Sequence, residues 1–190
     1  MWLYLEVKFN ISNEAWHEIA MKTNGVPNIY SIKKRIKELD SKWKLKPTAG
    51  DTEGLQLGFS ESLQEHIVKL PQTGEIKDGE TIKIKLSGDG TNIGKRHTVV
   101  NFTFTILNKK ELAMGEKGNY VLAITKTTET YDNIRESLAD LRMELSNLKE
   151  INVNNCTYHI VYFLGGDWKF LALVCGLGRA NEDYACVWCK

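Results

Sequence analysis

Two segments of the chain each set an aspartate at the end of an apolar run. They are Lys83-Ile84-Lys85-Leu86-Ser87-Gly88-Asp89-Gly90-Thr91 and Ile160-Val161-Tyr162-Phe163-Leu164-Gly165-Gly166-Asp167-Trp168-Lys169. Each reads as a strand with one carboxylate just past its end. Two parallel strands of this kind would offer a pair of hard oxygen ligands to one divalent cation. Phosphodiester hydrolysis and strand transfer need an activated oxygen nucleophile and a stabilised leaving oxygen. Two divalent ions about 3.5–4 Å apart serve both ends of such an in-line displacement. Carboxylates suit Mg²⁺ and Mn²⁺ because both are hard cations. Gly88, Gly90, Gly165 and Gly166 flank the two aspartates, and neighbours without side chains let a phosphate backbone come close. Asp and Gly also dominate turns, so taken alone these segments read as ordinary strand ends.

Cys186-Val187-Trp188-Cys189 follows, one residue before the end of the sequence. Cys186 and Cys189 have the spacing of two ligands of a tetrahedral zinc site. A redox CxxC would open a helix near the start of a βαβ unit, and this one does not. Cys156 and Cys175 have no useful spacing and read as core residues. None of His17, His66, His97 and His159 stands at motif spacing from the CxxC, and His159 reads as a packed or hydrogen-bonded strand residue. No P-loop, GxGxxG or Ser/His/Asp signature occurs.

The elements that must position these residues change character near residue 74. Before it the periodicity is helical. A helix over 12–22 has Ser12 as N-cap and an apolar face of Ala15, Trp16, Ile19 and Ala20. A turn at Asn24-Gly25-Val26-Pro27 leads to a second helix over 28–43. Ile32, Ile36, Leu39 and Trp43 recur there at helical spacing, and Lys33, Lys34, Arg35 and Lys37 crowd the remaining surface. Two helices around a tight turn, the second basic, resemble a helix-turn-helix that contacts DNA. The plainer reading is a packed pair with a solvated basic face. Leu63, Ile67 and Leu70 mark a short helix before Pro71. The polar link from Thr73 to Gly79 is taken as the domain boundary, giving domains over 1–74 and 75–190.

Beyond the link the period becomes two. Strands are expected over 82–86, 100–106 and 120–125, as a meander. A helix over about 130–149 follows, with the stripe Tyr131, Ile134, Leu138, Leu141, Leu145 and Leu148. A strand over 157–164 and a short helix or turn carrying Trp168, Phe170 and Leu171 complete the pattern. A helix between strands is the usual crossover to a parallel position. If the last strand docks beside the first, Asp89 and Asp167 become neighbours. The expected class is α/β (α+β), a partial ribonuclease-H-like fold preceded by a helical segment.

The 190 residues fit one ordinary domain with a small appendage. A hydrophobic fraction of 42% and a charged fraction of 26% are those of a globular protein. A net charge of +1 gives no global attraction to nucleic acid, so any such argument is local. No apolar run reaches membrane-spanning length, and the start lacks the basic and apolar regions of a signal peptide. Four cysteines without a disulfide framework fit a reducing compartment.

Taken together, these residues resemble the recombination-activating family: the catalytic subunit of the V(D)J recombinase, its invertebrate relatives and Transib-type DDE transposases. Asp89-Gly90 resembles the family's first catalytic Asp-Gly, and Val100-Asn101-Phe102-Thr103-Phe104-Thr105 the strand after it. Asp167 resembles the second catalytic Asp. Cys186-x-x-Cys189 has the order and spacing of a CxxC that takes zinc with two histidines from far downstream. The stretch 11–46 resembles the helical segment before the nuclease domain. The resemblance covers residue 10 to the end and rests on the joint order of these motifs. It implies a DNA endonuclease and transposase ancestry, with Mg²⁺ or Mn²⁺ on Asp89 and Asp167 and structural Zn²⁺ on Cys186 and Cys189. It also implies DNA as partner, contacted by Lys33, Lys34, Arg35 and Lys37, and a nuclear location. Membranes and small-molecule substrates are not expected. The family's third acid, a Glu, and its zinc-binding histidine pair have no counterpart. The expectation is therefore an N-terminal piece of a larger recombinase, inactive alone, whose CxxC pairs could be pooled in a homodimer. The alternative is a domesticated, non-catalytic DNA-binding or protein-interaction module.

Overall fold

The computed structural model describes Trp2, Leu5, residues 9–71, 74–93, 97–115 and 118–177, and Cys186. The chain divides into two compact units, Met1–Lys44 and Leu45–Lys190.

Among the described residues the first unit holds the helices α1 (Asn13–Lys22) and α2 (Ile29–Lys42). Each starts on a polar cap that takes up a backbone N–H with no partner inside the helix. The Ser12 hydroxyl accepts from Ala15 N at 3.2 Å, and Asn28 Oδ1 accepts from Ser31 N at 2.8 Å. Trp16 on α1 and Ile32 on α2 are the buried apolar residues of the pair. Trp16 Nε1 donates to the Pro27 carbonyl at 2.9 Å, which fixes the turn between the helices.

The second unit has mixed α and β architecture. Its strands among the described residues are β1 (Lys46–Pro47), β2 (Glu53–Gln56), β3 (Ile82–Ile93), β4 (His97–Ile106), β5 (Asn119–Lys126), β6 (Glu150–Val153) and β7 (Cys156–Gly165). They form one sheet in the order β1-β2-β5-β4-β3-β7-β6. All pairings are antiparallel except that of β3 with β7. Helices α3 (Phe59–Ile67), α4 (Tyr131–Ser137), α5 (Ala139–Asn147) and α6 (Trp168–Val174) complete the unit, with a 3₁₀ stretch over Leu107–Met114.

Strand alternation sorts the side chains. Ile82, Ile84, Val100, Phe102, Phe104, Ile106 and Ile160 share a single buried core with Phe59, Leu63 and Ile67 of α3, Ile134 of α4, Leu141 of α5 and Phe170 of α6. Phe59 meets Phe104 edge to face at 5.5 Å. A register shift between Phe102 and Thr103 leaves Leu122 as an extra residue on β5. This bulge is why two successive residues, Leu122 and Ala123, are both buried. Tyr162 donates its hydroxyl to the Leu148 carbonyl at 2.7 Å, and burial pushes its pKa up to about 12, so it remains a neutral donor.

Several expectations change. The polar link near 74 is a turn inside the second unit, because Leu70 before it and Ile76 after it enter the same core. The helix expected over 130–149 is two helices broken at Leu138. The buried Ser137 hydroxyl donates back to the Ile134 carbonyl at 3.4 Å, a bond that competes with the helical ladder. β6 pairs with β7 through a tight turn in which Asn154 and Asn155 both have positive φ, the geometry of a type I′ hairpin. Cys175, read as a core residue, is exposed at the end of α6, whereas Cys156 packs partly buried against the core.

The start of α3 depends on α5. Its N-cap is Gly58, which has no side chain to offer, and Glu144 Oε2 accepts from Phe59 N at 2.6 Å in its place. Glu144→Ala should therefore lower stability by about 1–2 kcal/mol, the worth of a helix cap. A lower urea midpoint at unchanged slope would show it; an unchanged midpoint would show that water caps α3 equally well.

Candidate functional site

Asp89 does not lie past the end of its strand. β3 runs on to Ile93, and Asp89 pairs across β4 with Asn101. Asp167 lies two residues beyond β7, as the N-cap of α6, and its Oδ1 accepts from Phe170 N at 2.7 Å. The parallel register of β3 and β7 runs from Ile82 opposite Ile160 to Ser87 opposite Gly165. Two further residues on each chain reach Asp89 and Asp167. Both line one cavity of about 440 Å³, with Ser87, Gly88, Asn101, Thr103 and Gly166. The two aspartates singled out from the sequence are thus brought together.

The glycine beside Asp89 has a packing reason. A Cβ on Gly88 would stand 2.2 Å from Phe170 Cε2, so only glycine lets α6 pack onto β3 there. That contact fixes the start of α6 and with it Asp167.

One lining residue and an ion pair outside the cavity wall were not singled out from the sequence. Asn101 lines the cavity, and its Oδ1 is buried without a hydrogen-bond partner among the described residues. Lys169, in the first turn of α6, forms an ion pair with Glu129 from the loop between β5 and α4. The Glu129 hydrogen bond raises the Lys169 pKa, and the charges of Asp167 and Asp89 push the same way. Lys169 could be suspected from its place beside Asp167. Glu129 could not, since it sits in the featureless run Thr127-Thr128-Glu129-Thr130.

Cys186 is half-buried, and Cys189 lies outside the described residues. His159 is an exposed strand residue whose Nδ1 is 3.1 Å from Glu150 Oε1. Among the described residues no three His, Cys, Asp or Glu side chains are grouped to hold a metal ion; Asp89 and Asp167 are a pair. No described helix is long and apolar enough to cross a membrane. In the first unit, Lys33, Lys34, Arg35 and Lys37 are exposed on α2, and Arg35 pairs with Glu38 at 3.1 Å.

No protein-family model matches the chain, and no curated protein matches it.

The packing of α6 gives a direct test. Gly88→Ala should destabilise the second unit by about 1–3 kcal/mol through overpacking against Phe170. Pairing it with Phe170→Leu should recover part of the loss, measured as urea midpoints of the two variants. Equal stability of Gly88→Ala and the unmodified chain would refute the contact.

Proposed function

We propose that the second unit is the ribonuclease-H-like nuclease core of a DDE recombinase or transposase of the recombination-activating type, acting on the phosphodiester backbone of DNA. The observation that carries this reading is the wall shared by Asp89 and Asp167 at one end of the parallel β3–β7 pair. The order of strands supports it: a three-stranded meander, two helices and the short edge strand β6, then β7 returning parallel to β3.

The donor set fits a hard cation. Two carboxylates, the Asn101 amide and the hydroxyls of Ser87 and Thr103 surround the cavity, an oxygen chemistry that suits Mg²⁺ or Mn²⁺. A bound cation of that kind would polarise a phosphoryl oxygen and lower the pKa of water. Asp89 and Asp167 are both exposed. Asp167 has one oxygen committed to α6 and a second to offer. Two carboxylates are short of the three acids of a DDE site, so strand cleavage is expected only where a third is supplied. Cys186 and Cys189 are read as half of a structural zinc site. Work on DNA would place the protein in the nucleus.

The basic face of α2 supports a DNA-contacting role for the first unit. Such a module, free of catalysis, is the second reading, favoured by the exposure of Lys33, Lys34, Arg35 and Lys37 together.

Mn²⁺ titration followed by electron paramagnetic resonance tests the first reading. Asp89→Asn and Asp167→Asn should each weaken binding tenfold or more, about 1.4 kcal/mol. Asn is as good a helix cap as Asp, so Asp167→Asn should leave α6 intact, and a loss of affinity would report ligation alone. Mn²⁺ affinity in both variants equal to that of the unmodified chain would end the cation reading.

The second reading is tested by salt. Each phosphate neutralised contributes about −0.9 to the log–log slope of DNA affinity against salt. Replacing Lys33, Lys34 and Arg35 together with Ala should flatten that slope. A slope unchanged in the triple variant would return α2 to a solvated surface.

A further inference from the structure

The core face of the sheet carries a second cavity, of about 240 Å³, beneath α4 and α5. Leu86, Phe102 and Leu122 form its floor, Leu138 and Leu141 its roof, and Phe170 of α6 one end. It shares Ser87 and Thr103 with the Asp89–Asp167 cavity but neither aspartate. Strand alternation shows where it opens. Leu164 follows Ile160 and Tyr162 on the core face of β7, yet it is 42% exposed where Ile160 is 7%. Leu164 lines the cavity and marks its mouth.

Arg135 of α4 and Arg142 of α5 are the charged residues among those that line it. Both are exposed, and no described carboxylate pairs with either. The acids of the same two helices, Asp132, Glu136, Asp140 and Glu144, do not line the cavity. Asp140 accepts from Gln56 Nε2 at 3.1 Å, and Glu144 from Phe59 N. The two guanidinium groups thus keep their donors for an anion from outside the chain. An apolar wall with a few placed polar groups is the make-up of a small-molecule site.

We propose that this cavity binds a linear acyl carboxylate, its chain against Leu86, Phe102 and Leu141 and its head group on Arg135 and Arg142. The fork of an arginine matches a carboxylate through two parallel hydrogen bonds. The apolar lining takes the hydrocarbon chain out of water. Size sets the length: ligand pockets start at about 300 Å³, so this one suits a single chain of medium length and not a two-chain lipid. The site is independent of the cation reading, because neither Asp89 nor Asp167 takes part in it.

The experiment is equilibrium dialysis of the full chain against radiolabelled octanoate, with hexanoate, octanol and octyltrimethylammonium as competitors. One octanoate should bind per chain. Hexanoate should compete more weakly by about fourfold for each methylene removed. Octanol should compete less well than octanoate, and octyltrimethylammonium least of all. The double variant Arg135→Gln/Arg142→Gln should bind octanoate about tenfold more weakly, the worth of a charge-assisted hydrogen bond. Both arginines are exposed, so its urea midpoint should match that of the unmodified chain. Absence of octanoate binding to the unmodified chain would overturn the proposal. So would undiminished affinity in the double variant, or hexanoate competing as well as octanoate. Octyltrimethylammonium competing as well as octanoate would reduce the cavity to an apolar surface without a head-group site, and would overturn it equally.

Discussion

The parallel pairing of β3 with β7 is the contact on which the second unit is organised. Parallel neighbours cannot be joined by a tight turn, so the chain spends β4, β5, α4, α5 and β6 on the return. Of these, α4 and α5 cover the core face of the same sheet through Ile134, Leu138 and Leu141. Inward residues hold the register, Ile82 opposite Ile160 and Ile84 opposite Tyr162. The register is stiff because its error is expensive: a slip of one residue would turn Ile160 outward and Val161 inward. It would also carry Asp167 off its station two residues beyond the pair of Ser87 and Gly165. The same apolar packing that forms the core thereby sets the separation of two carboxylates that take no part in it.

Asp167 serves two physical ends at once. It terminates β7 and starts a helix of seven residues, too short to hold itself without packing and a cap. The cap bond to Phe170 N fixes one carboxylate oxygen, and Phe170 is driven into the core against Gly88. An aspartate in this position is held in place by helix formation itself. Asp89 achieves the same end differently, through strand pairing with Asn101 of β4.

Much of this is legible in the sequence. Ser12 announces the first helix and the spacing of Ile32, Ile36, Leu39 and Trp43 the second; period-two runs announce β3 and β4, and apolar runs β5 and β7. The meander followed by a helical crossover was enough to expect Asp89 and Asp167 as neighbours. What could not be read had local causes. β1 and β2 are too short for a period to register. β6 is hidden because Asn154-Asn155 lacks the glycine of the usual type I′ turn signals. The break at Leu138 depends on a hydroxyl that turns back on its own helix, and an apolar stripe passes through such a break unchanged. Thr73 to Gly79 has the composition of a linker, yet Ile76 within it is buried. Glu129 and Asn101 gain meaning only from residues distant in the chain. Their types are common and their neighbours in sequence are uninformative.

The two margins of the sheet share one property. β1 is two residues long and ends in Pro47, which has no amide hydrogen to donate. β6 is four residues long and leaves at once into the Asn154-Asn155 turn. Long flat margins recruit foreign strands and seed aggregation, and short or proline-bearing ones resist both. A chain with this sheet is poorly suited to lateral growth by strand addition. Concentrated preparations should therefore be limited by the apolar side chains on its open face, Leu55, Ile124, Val161 and Phe163 among them, rather than by amyloid-like stacking at its borders.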